Sequence, residues 1–376
     1  MSSPVRNEQF SIPSTMRAWV LDDPGQLRLT EKPVPQPGPA EVLVRVSAIA
    51  VCEGDIRMIS KGPPALIQGG LPFNKNWTPG HEYIGTVVKL GAGVDEVALG
   101  DRVAVDVHYG CGRCERCRSG MYTCCLNYGL NYPGHDKGHR ANGFTTDGGF
   151  AEYVVNHVTT LVHVPECVGD EEATLIVTAG TGMYALDTLG GLFAGQSLVV
   201  AGPGAIGLMT VAVGKALGAD PVILTGTRDE RLELGRKLGA DKLVNVRKEN
   251  PVEAIKRITG GKGVHYLVEA SGQPNALPEA MDMVMRGGRI CLVGYANAPV
   301  SVDLAKFVRN HLSVFGIRGE GKGATHRAAA LVAQRRFDIK LIHTHTFTMD
   351  EVPTAIRYSR DRIEDAIKVV VKVRES

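Results

Sequence analysis

Apolar and polar residues alternate in two different ways along this chain. Up to about residue 165, short segments carry the two-residue alternation and β-branched content of strands: Arg17 to Leu21, Glu41 to Ala50, Tyr83 to Leu90 and Asp101 to His108. Pro33, Pro35, Pro37 and Pro39, with frequent glycines, break these segments apart as turn residues do. From Glu171 to Val314 the pattern becomes apolar strand, glycine turn, amphipathic helix and strand again. Strands are predicted at Leu198 to Ala201, Val222 to Thr225, Leu243 to Val246, Tyr266 to Glu269 and Ile290 to Val293. Helices are predicted at Ala205 to Leu217 and Asp229 to Leu238. This order argues for an α/β fold with a doubly wound parallel sheet. After Phe315 come a further helix, a polar turn holding His343 and His345, and a last strand from Ile367 to Val373.

One junction in the second region carries chemistry. The apolar strand ending at Ala201 runs straight into Gly202, Pro203, Gly204, Ala205, Ile206 and Gly207, and then into a helix. In that setting the first glycine makes the tight turn and the second lets a pyrophosphate approach the backbone. The third lets helix and strand pack closely, and the helix N-terminus offers free N–H groups to phosphate. A dinucleotide is the expected ligand. The next strand ends in Gly226, Thr227 and Arg228. An NAD site normally places a carboxylate there for the ribose 2′-hydroxyl. Without one, and with a guanidinium able to grip a 2′-phosphate, the expectation is NADP(H) over NAD(H). Asp229, one residue further on, is the alternative source of a carboxylate.

The cysteines add metal. Cys111, Cys114, Cys117 and Cys125 lie in one loop and supply four thiolates, enough for a closed tetrahedral zinc with a structural role. Spacing leaves Cys124 as a substitute for Cys125, and leaves an iron–sulfur cluster as a rival to zinc. Cys167 and Cys291 read as small packed hydrophobes. His135, Asp136 and His139 read as side chains of a solvated loop.

Composition narrows the partners. A chain of 376 residues exceeds one domain of roughly 100–200. Its 42 basic and 40 acidic residues, net +2, give no reason to expect nucleic acid or an anionic membrane. The apolar runs Ser197 to Ala201 and Lys368 to Val373 fall far short of the ~20 residues that span a bilayer. The opening MSSPVRNEQFSIPSTM has no apolar core of a secretory signal, so a reducing cytoplasm is expected.

Taken together, these features resemble the zinc-containing medium-chain dehydrogenase/reductase family, the alcohol and polyol dehydrogenases. Gly80-His81-Glu82-Tyr83-Ile84-Gly85 with Gly91 and Val94 is similar to the family's zinc signature. Gly100 to Val103, the cysteine loop, Asp147 to Tyr153, Leu238 to Asp241, Glu269 to Gly272 and Ile367 to Val369 also agree. The resemblance implies a β-rich GroES-like catalytic domain made of residues 1–170 and 315–376, and a Rossmann domain of residues 171–314. It implies hydride exchange between a nicotinamide and a secondary alcohol, polyol, sugar-like substrate or ketone, in a homodimer or homotetramer. Val293 and Gly294 then belong to the cofactor site. Cys52 and His81 match two ligands of a catalytic zinc, and Asp55 matches the carboxylate that orients the histidine. The family's third ligand position falls on Thr178, a poor zinc ligand, and Glu82 is the neighbour able to complete the set. Gly54 stands where the family carries a proton-relaying hydroxyl.

Two rival functions remain at this level. One is a reductase of an activated C=C or C=N bond without catalytic zinc. The other is a nucleotide-binding structural or regulatory protein that has lost the chemistry.

Overall fold

The computed structural model describes residues 10–62, 76–127, 140–296 and 298–374. His135, Asp136 and His139 lie outside them. The chain divides into two compact units: Met1–Val177 with Gly319–Ala329 and His343–Ser376, and Thr178–Arg318 with Ala330–Ile342.

The first unit is built on a seven-stranded sheet. Its order is His343–Thr348, Lys368–Lys372, Glu41–Val51, Tyr83–Leu90, Arg102–Val105 and Leu161–His163, and Tyr153–His157 also pairs with Glu41–Val51. The Glu41–Val51 strand is almost wholly buried, because strands flank it and a core of Val42, Val44, Val46, Ile49, Tyr83, Phe150, Val369 and Val371 surrounds it. The His343–Thr348 segment corrects the sequence expectation of a polar turn. It is an edge strand, parallel to Lys368–Lys372, with alternating half-buried and exposed residues. Its half-buried face is His343, His345 and Phe347 and its exposed face is threonine, so a single apolar residue stands among polar ones and no apolar stripe marks it. Cys167 is a second correction: it lies in the turn closed by Val168 N–H to Pro165 O and is exposed, whereas Cys291 is fully buried as expected.

The second unit carries a six-stranded parallel sheet in the order Lys242–Asn245, Val222–Gly226, Leu198–Ala201, Val264–Glu269, Val284–Leu292 and Ser313–Gly316. Every neighbouring pair is parallel. The order reverses at Leu198–Ala201, which makes this a doubly wound dinucleotide-binding sheet whose ligand crevice opens at the strand C-termini. The helices Ala205–Ala216 and Asp229–Lys237 follow the first two strands in sequence.

A buried ion pair and a buried carboxyl group in the first unit have consequences for stability. Lys368, 3% exposed, donates from Nζ to Oε2 of Glu82, also 3% exposed. Burial works against the ammonium charge, but Glu82, Cys52 and Asp55 outweigh it and raise the Lys368 pKa. Replacing Lys368 by Met strands Glu82 without its counter-charge and should cost about 3–5 kcal/mol in urea denaturation. The double variant Lys368→Met, Glu82→Gln should recover most of that loss. Equal loss in both would show that the pair is not what holds the strand.

Asp106 is 2% exposed and accepts a 2.8 Å hydrogen bond from the Tyr122 hydroxyl. Burial pushes its pKa up to about 6, against opposing hydrogen bonds from Tyr122, Thr325 and the His108 backbone. The folded value lies above the unfolded one, so the group favours folding at low pH and loses that contribution as pH rises through about 6. Asp106→Asn, which keeps an acceptor for Tyr122, should therefore be more stable than wild type at pH 8, by on the order of 1–3 kcal/mol. In denaturation series the difference should hold from pH 8 down to about pH 6 and shrink as pH falls further.

Candidate functional site

Two groups of potential metal donors converge in the first unit. The ligand atoms of Cys52, His81 and Glu82 lie within 4.8 Å of one another, and so do those of Cys111, Cys114, Cys117 and Cys125.

Backbone geometry assembles the first group. The long strand ends at Val51, and Cys52 caps the following helix, Glu53–Lys61. Asp55, fully buried, turns back so that Oδ2 accepts the Cys52 N–H at 3.0 Å. Its other oxygen, Oδ1, meets His81 Nδ1 at 2.7 Å. One carboxylate thus holds two donors by opposite oxygens, and with Nδ1 engaged the His81 Nε2 is left for a metal. Glu82 follows His81 directly, and Lys368 arrives on the last strand, whose register sets Val369 opposite Val51. The group is cation-seeking. Burial opposes charge on His81, yet Asp55 and Cys52 together raise its pKa well above the ordinary histidine value. A thiol, an imidazole and a carboxylate are donors that zinc accepts, so the residues fit that ion.

Sequence reasoning missed two residues here. Lys368 had a visible signal, a lysine between Ile367 and Val369 in a terminal strand of apolar residues. Phe144 had none. Its ring lies 4.4 Å from the His81 ring, centroid to centroid. A Cβ on Gly54 would sit 3.2 Å from His81 Cε1 and 3.3 Å from Phe144 Cζ, so the ring occupies the space a longer residue at position 54 would need. Thr178, where the family's third ligand falls, is buried in the helix Ile176–Thr188 of the other unit.

In the second group Cys125, not the exposed Cys124, joins the other three. Backbone and side-chain N–H groups point at the sulfurs before any ion is considered. Cys125 Sγ accepts from Cys111 N–H and Asn127 N–H, each at 3.4 Å. Cys111 Sγ accepts from Asn127 Nδ2 at 2.9 Å, and Cys114 Sγ from Cys117 N–H at 3.4 Å. For Cys114, burial opposes ionisation, but the N–H groups of Cys117 and Leu126 outweigh it and lower the thiol to about 6. Four sulfurs so arranged fit a closed zinc site with no open position.

The second unit holds the phosphate turn. Gly202 has φ +103°, and a Cβ there would meet the Ser271 backbone at 2.8 Å. At Gly207 a Cβ would stand 1.9 Å from Gly202 O, whereas beside Gly204 nothing lies within 4 Å. The turn is tight at both ends and open in the middle, where Gly204 caps the Ala205–Ala216 helix without a side-chain hydrogen bond. Ala205, Ile206 and Gly207 form the helix's first turn, and Pro203 packs near Gly226. Gly226 ends the neighbouring strand, Thr227 is exposed and Arg228 half-buried. Val293 and Gly294 donate their N–H groups to Glu269 O at 2.8 and 3.0 Å, which brings that segment to the same end of the sheet. An adenine dinucleotide fits this turn on its free N–H groups and unobstructed glycine.

Residues 38–166 match the alcohol dehydrogenase GroES-like domain, and residues 205–334 match the zinc-binding dehydrogenase domain. The chain is 34% identical over 330 residues to the L-threonine 3-dehydrogenase of Pyrococcus abyssi, covering 85% of this chain and 87% of that protein. It is 29% identical over 368 residues to the sorbitol dehydrogenase of Bacillus subtilis, covering 96% and 98%. Among solved structures, an alcohol dehydrogenase of Escherichia coli CFT073 complexed with NADH superposes with TM-score 0.84 at 26% identity, covering 96% of this chain and 100% of that one. A zinc-binding dehydrogenase of Sinorhizobium meliloti 1021 bound to NADP does so with TM-score 0.83 at 27% identity and the same coverage. With both donor groups and the dinucleotide turn in place, the chain belongs to the zinc-containing medium-chain dehydrogenase/reductase family and is a zinc-type, NAD(P)-dependent alcohol or polyol dehydrogenase.

Proposed function

We propose that the enzyme exchanges hydride between NADP(H), in preference to NAD(H), and a secondary alcohol, polyol or sugar-like substrate or its ketone. The observation that carries this reading is the convergence of Cys52, His81 and Glu82, with Asp55 fixed behind His81. Cys52, His81 and Glu82 would hold the catalytic zinc, and Cys111, Cys114, Cys117 and Cys125 the structural one. When bound, the catalytic ion supplies Lewis acidity to a carbonyl or alkoxide oxygen, and the nicotinamide supplies or accepts the hydride.

The chain's own residues do the positioning. Asp55 accepts from Nδ1 of His81 and so keeps the lone pair of Nε2 turned to the donor group. Lys368 donates to Glu82 and supplies that buried carboxylate with a counter-charge. Gly54 carries no hydroxyl, and Phe144 covers that flank of His81. The proton of an alcohol therefore leaves through water and Glu53 or Glu82, not through position 54. In the second unit, Gly202 to Gly207 cradle the pyrophosphate, Val293 and Gly294 line the cofactor, and Gly226, Thr227 and Arg228 face the adenosine ribose. We also infer a cytoplasmic homodimer or homotetramer. No helix among the described residues is long and apolar enough to cross a membrane.

Metal analysis of the purified protein should give two zincs per chain, and one zinc would favour the reductase of activated double bonds. Cys52→Ala should abolish both NADPH-dependent reduction of ketones and oxidation of polyols by the oxidised cofactor NADP+, while leaving the four-cysteine zinc in place. Retained turnover would remove the catalytic zinc from the mechanism. Asp55→Asn should cost about 10–100-fold in zinc affinity or kcat, as losses behind a metal ligand typically do. Wild-type kcat/KM should be higher with NADP than with NAD.

A further inference from the structure

The ribose end of the dinucleotide site contains a carboxylate that the preference for NADP has to overcome. Asp229 opens the helix Asp229–Lys237, immediately after Arg228. An acid at this level of a Rossmann sheet binds the 2′-hydroxyl of NAD and repels a 2′-phosphate.

In this chain both oxygens of that acid are taken. Lys248 Nζ donates to Asp229 Oδ2 at 2.7 Å, and Asn245 Nδ2 donates to Oδ1 at 2.8 Å. Hydrogen bonds from Lys248 first and Asn245 second lower the carboxyl's pKa, so it stays ionised and paired. The two donors are placed by the sheet itself. Asn245 is the register partner of Gly226, and Val246 N–H donates to Gly226 O at 2.8 Å. The chain then turns back: Asn245 Oδ1 accepts from Arg247 N–H at 3.0 Å, and Asn245 O from Lys248 N–H at 2.9 Å. That turn delivers Lys248 to Asp229.

The other position open to an acid is closed by sterics. A Cβ on Gly226 would lie 2.6 Å from both Cδ and Cγ of Pro203, within the phosphate turn itself. Position 226 thus has no room for a carboxylate, and the carboxylate at position 229 is tied. Exposure of the pair is 67% for Lys248 and 55% for Asp229, so its contribution to folding is small and its consequence lies in the local field.

We propose that Lys248, aided by Asn245, is a cofactor-specificity residue: it engages and offsets the Asp229 carboxylate, so that a 2′-phosphorylated adenine dinucleotide meets Arg228 instead of an uncompensated acid. The proposal rests on the NADP preference inferred above and deepens it by naming what removes the obstacle to that preference.

The test is a double-mutant cycle on the full-length, zinc-loaded enzyme. Dissociation constants for NADP and NAD are measured by calorimetry in wild type, Lys248→Ala, Asp229→Ala and the double variant, with kcat/KM as a second readout. Lys248→Ala should move the affinity ratio towards NAD by about fivefold or more, because it frees a charge at close range. In the Asp229→Ala background the same substitution should produce a clearly smaller shift. An equal shift in both backgrounds would make Lys248 a direct phosphate contact and overturn the proposal, as would no shift in either. A wild-type enzyme that binds NAD more tightly than NADP overturns the cofactor preference and the proposal with it. A wild type that prefers NADP without coupling between positions 229 and 248 overturns the proposal alone.

Discussion

Glu82 and Lys368 are 286 residues apart in sequence and share one buried ion pair. Removing two such groups from water costs several kcal/mol each, and only close pairing with good hydrogen bonds offsets it. Neither partner can be buried alone, so the pair forms only when the last strand docks beside Glu41–Val51. The register of that docking sets Val369 against Val51 and carries Lys368 to the level of Cys52. The donor group at Cys52 and His81 is therefore finished by the end of the chain. Sheet assembly and site assembly are one event in the first unit, and the cost of an unpaired charge enforces it.

The same electrostatic logic explains why the donors fit zinc ions. Asp55 and Glu82 are buried acids beside Cys52, and Lys368 supplies a counter-charge to Glu82. His81 answers with a raised proton affinity, the mark of a site that wants a cation. At the four-cysteine loop the balance is struck differently. There, N–H groups of Cys111, Cys117, Asn127 and the Asn127 amide stabilise sulfur charge from close range. One site relies on a fixed carboxylate and a lysine, the other on backbone dipoles. Both are organised by hydrogen bonds that the chain makes with itself.

How much of this was legible in the sequence follows from how local each feature is. The glycine turn is short-range: Gly207 must be glycine because Gly202 O, five residues away, leaves no space for a Cβ. The cysteine spacing is likewise set within one loop, which is why the sequence exposed it, although only geometry separates Cys125 from Cys124. Strands with a buried face announced themselves by alternation. The His343–Thr348 strand did not, since two of its three half-buried residues, His343 and His345, are polar and only Phe347 is apolar. The Lys368–Glu82 pair and the Phe144–His81 contact depend on registers between distant segments, and no periodicity reports those.

Gly54 shows how a non-local contact changes the meaning of a local one. In the sequence it reads as a loss, a hydroxyl missing from a place where relatives carry one. In the structure it reads as an accommodation, because Phe144 fills the volume beside His81 that a side chain at 54 would claim. The two residues are then size-coupled. A larger residue at 54 must displace the ring, and a smaller one at 144 would open a gap against a buried ligand, which packed interiors resist. Gly54 and Phe144 together thus set the wall that lies against His81.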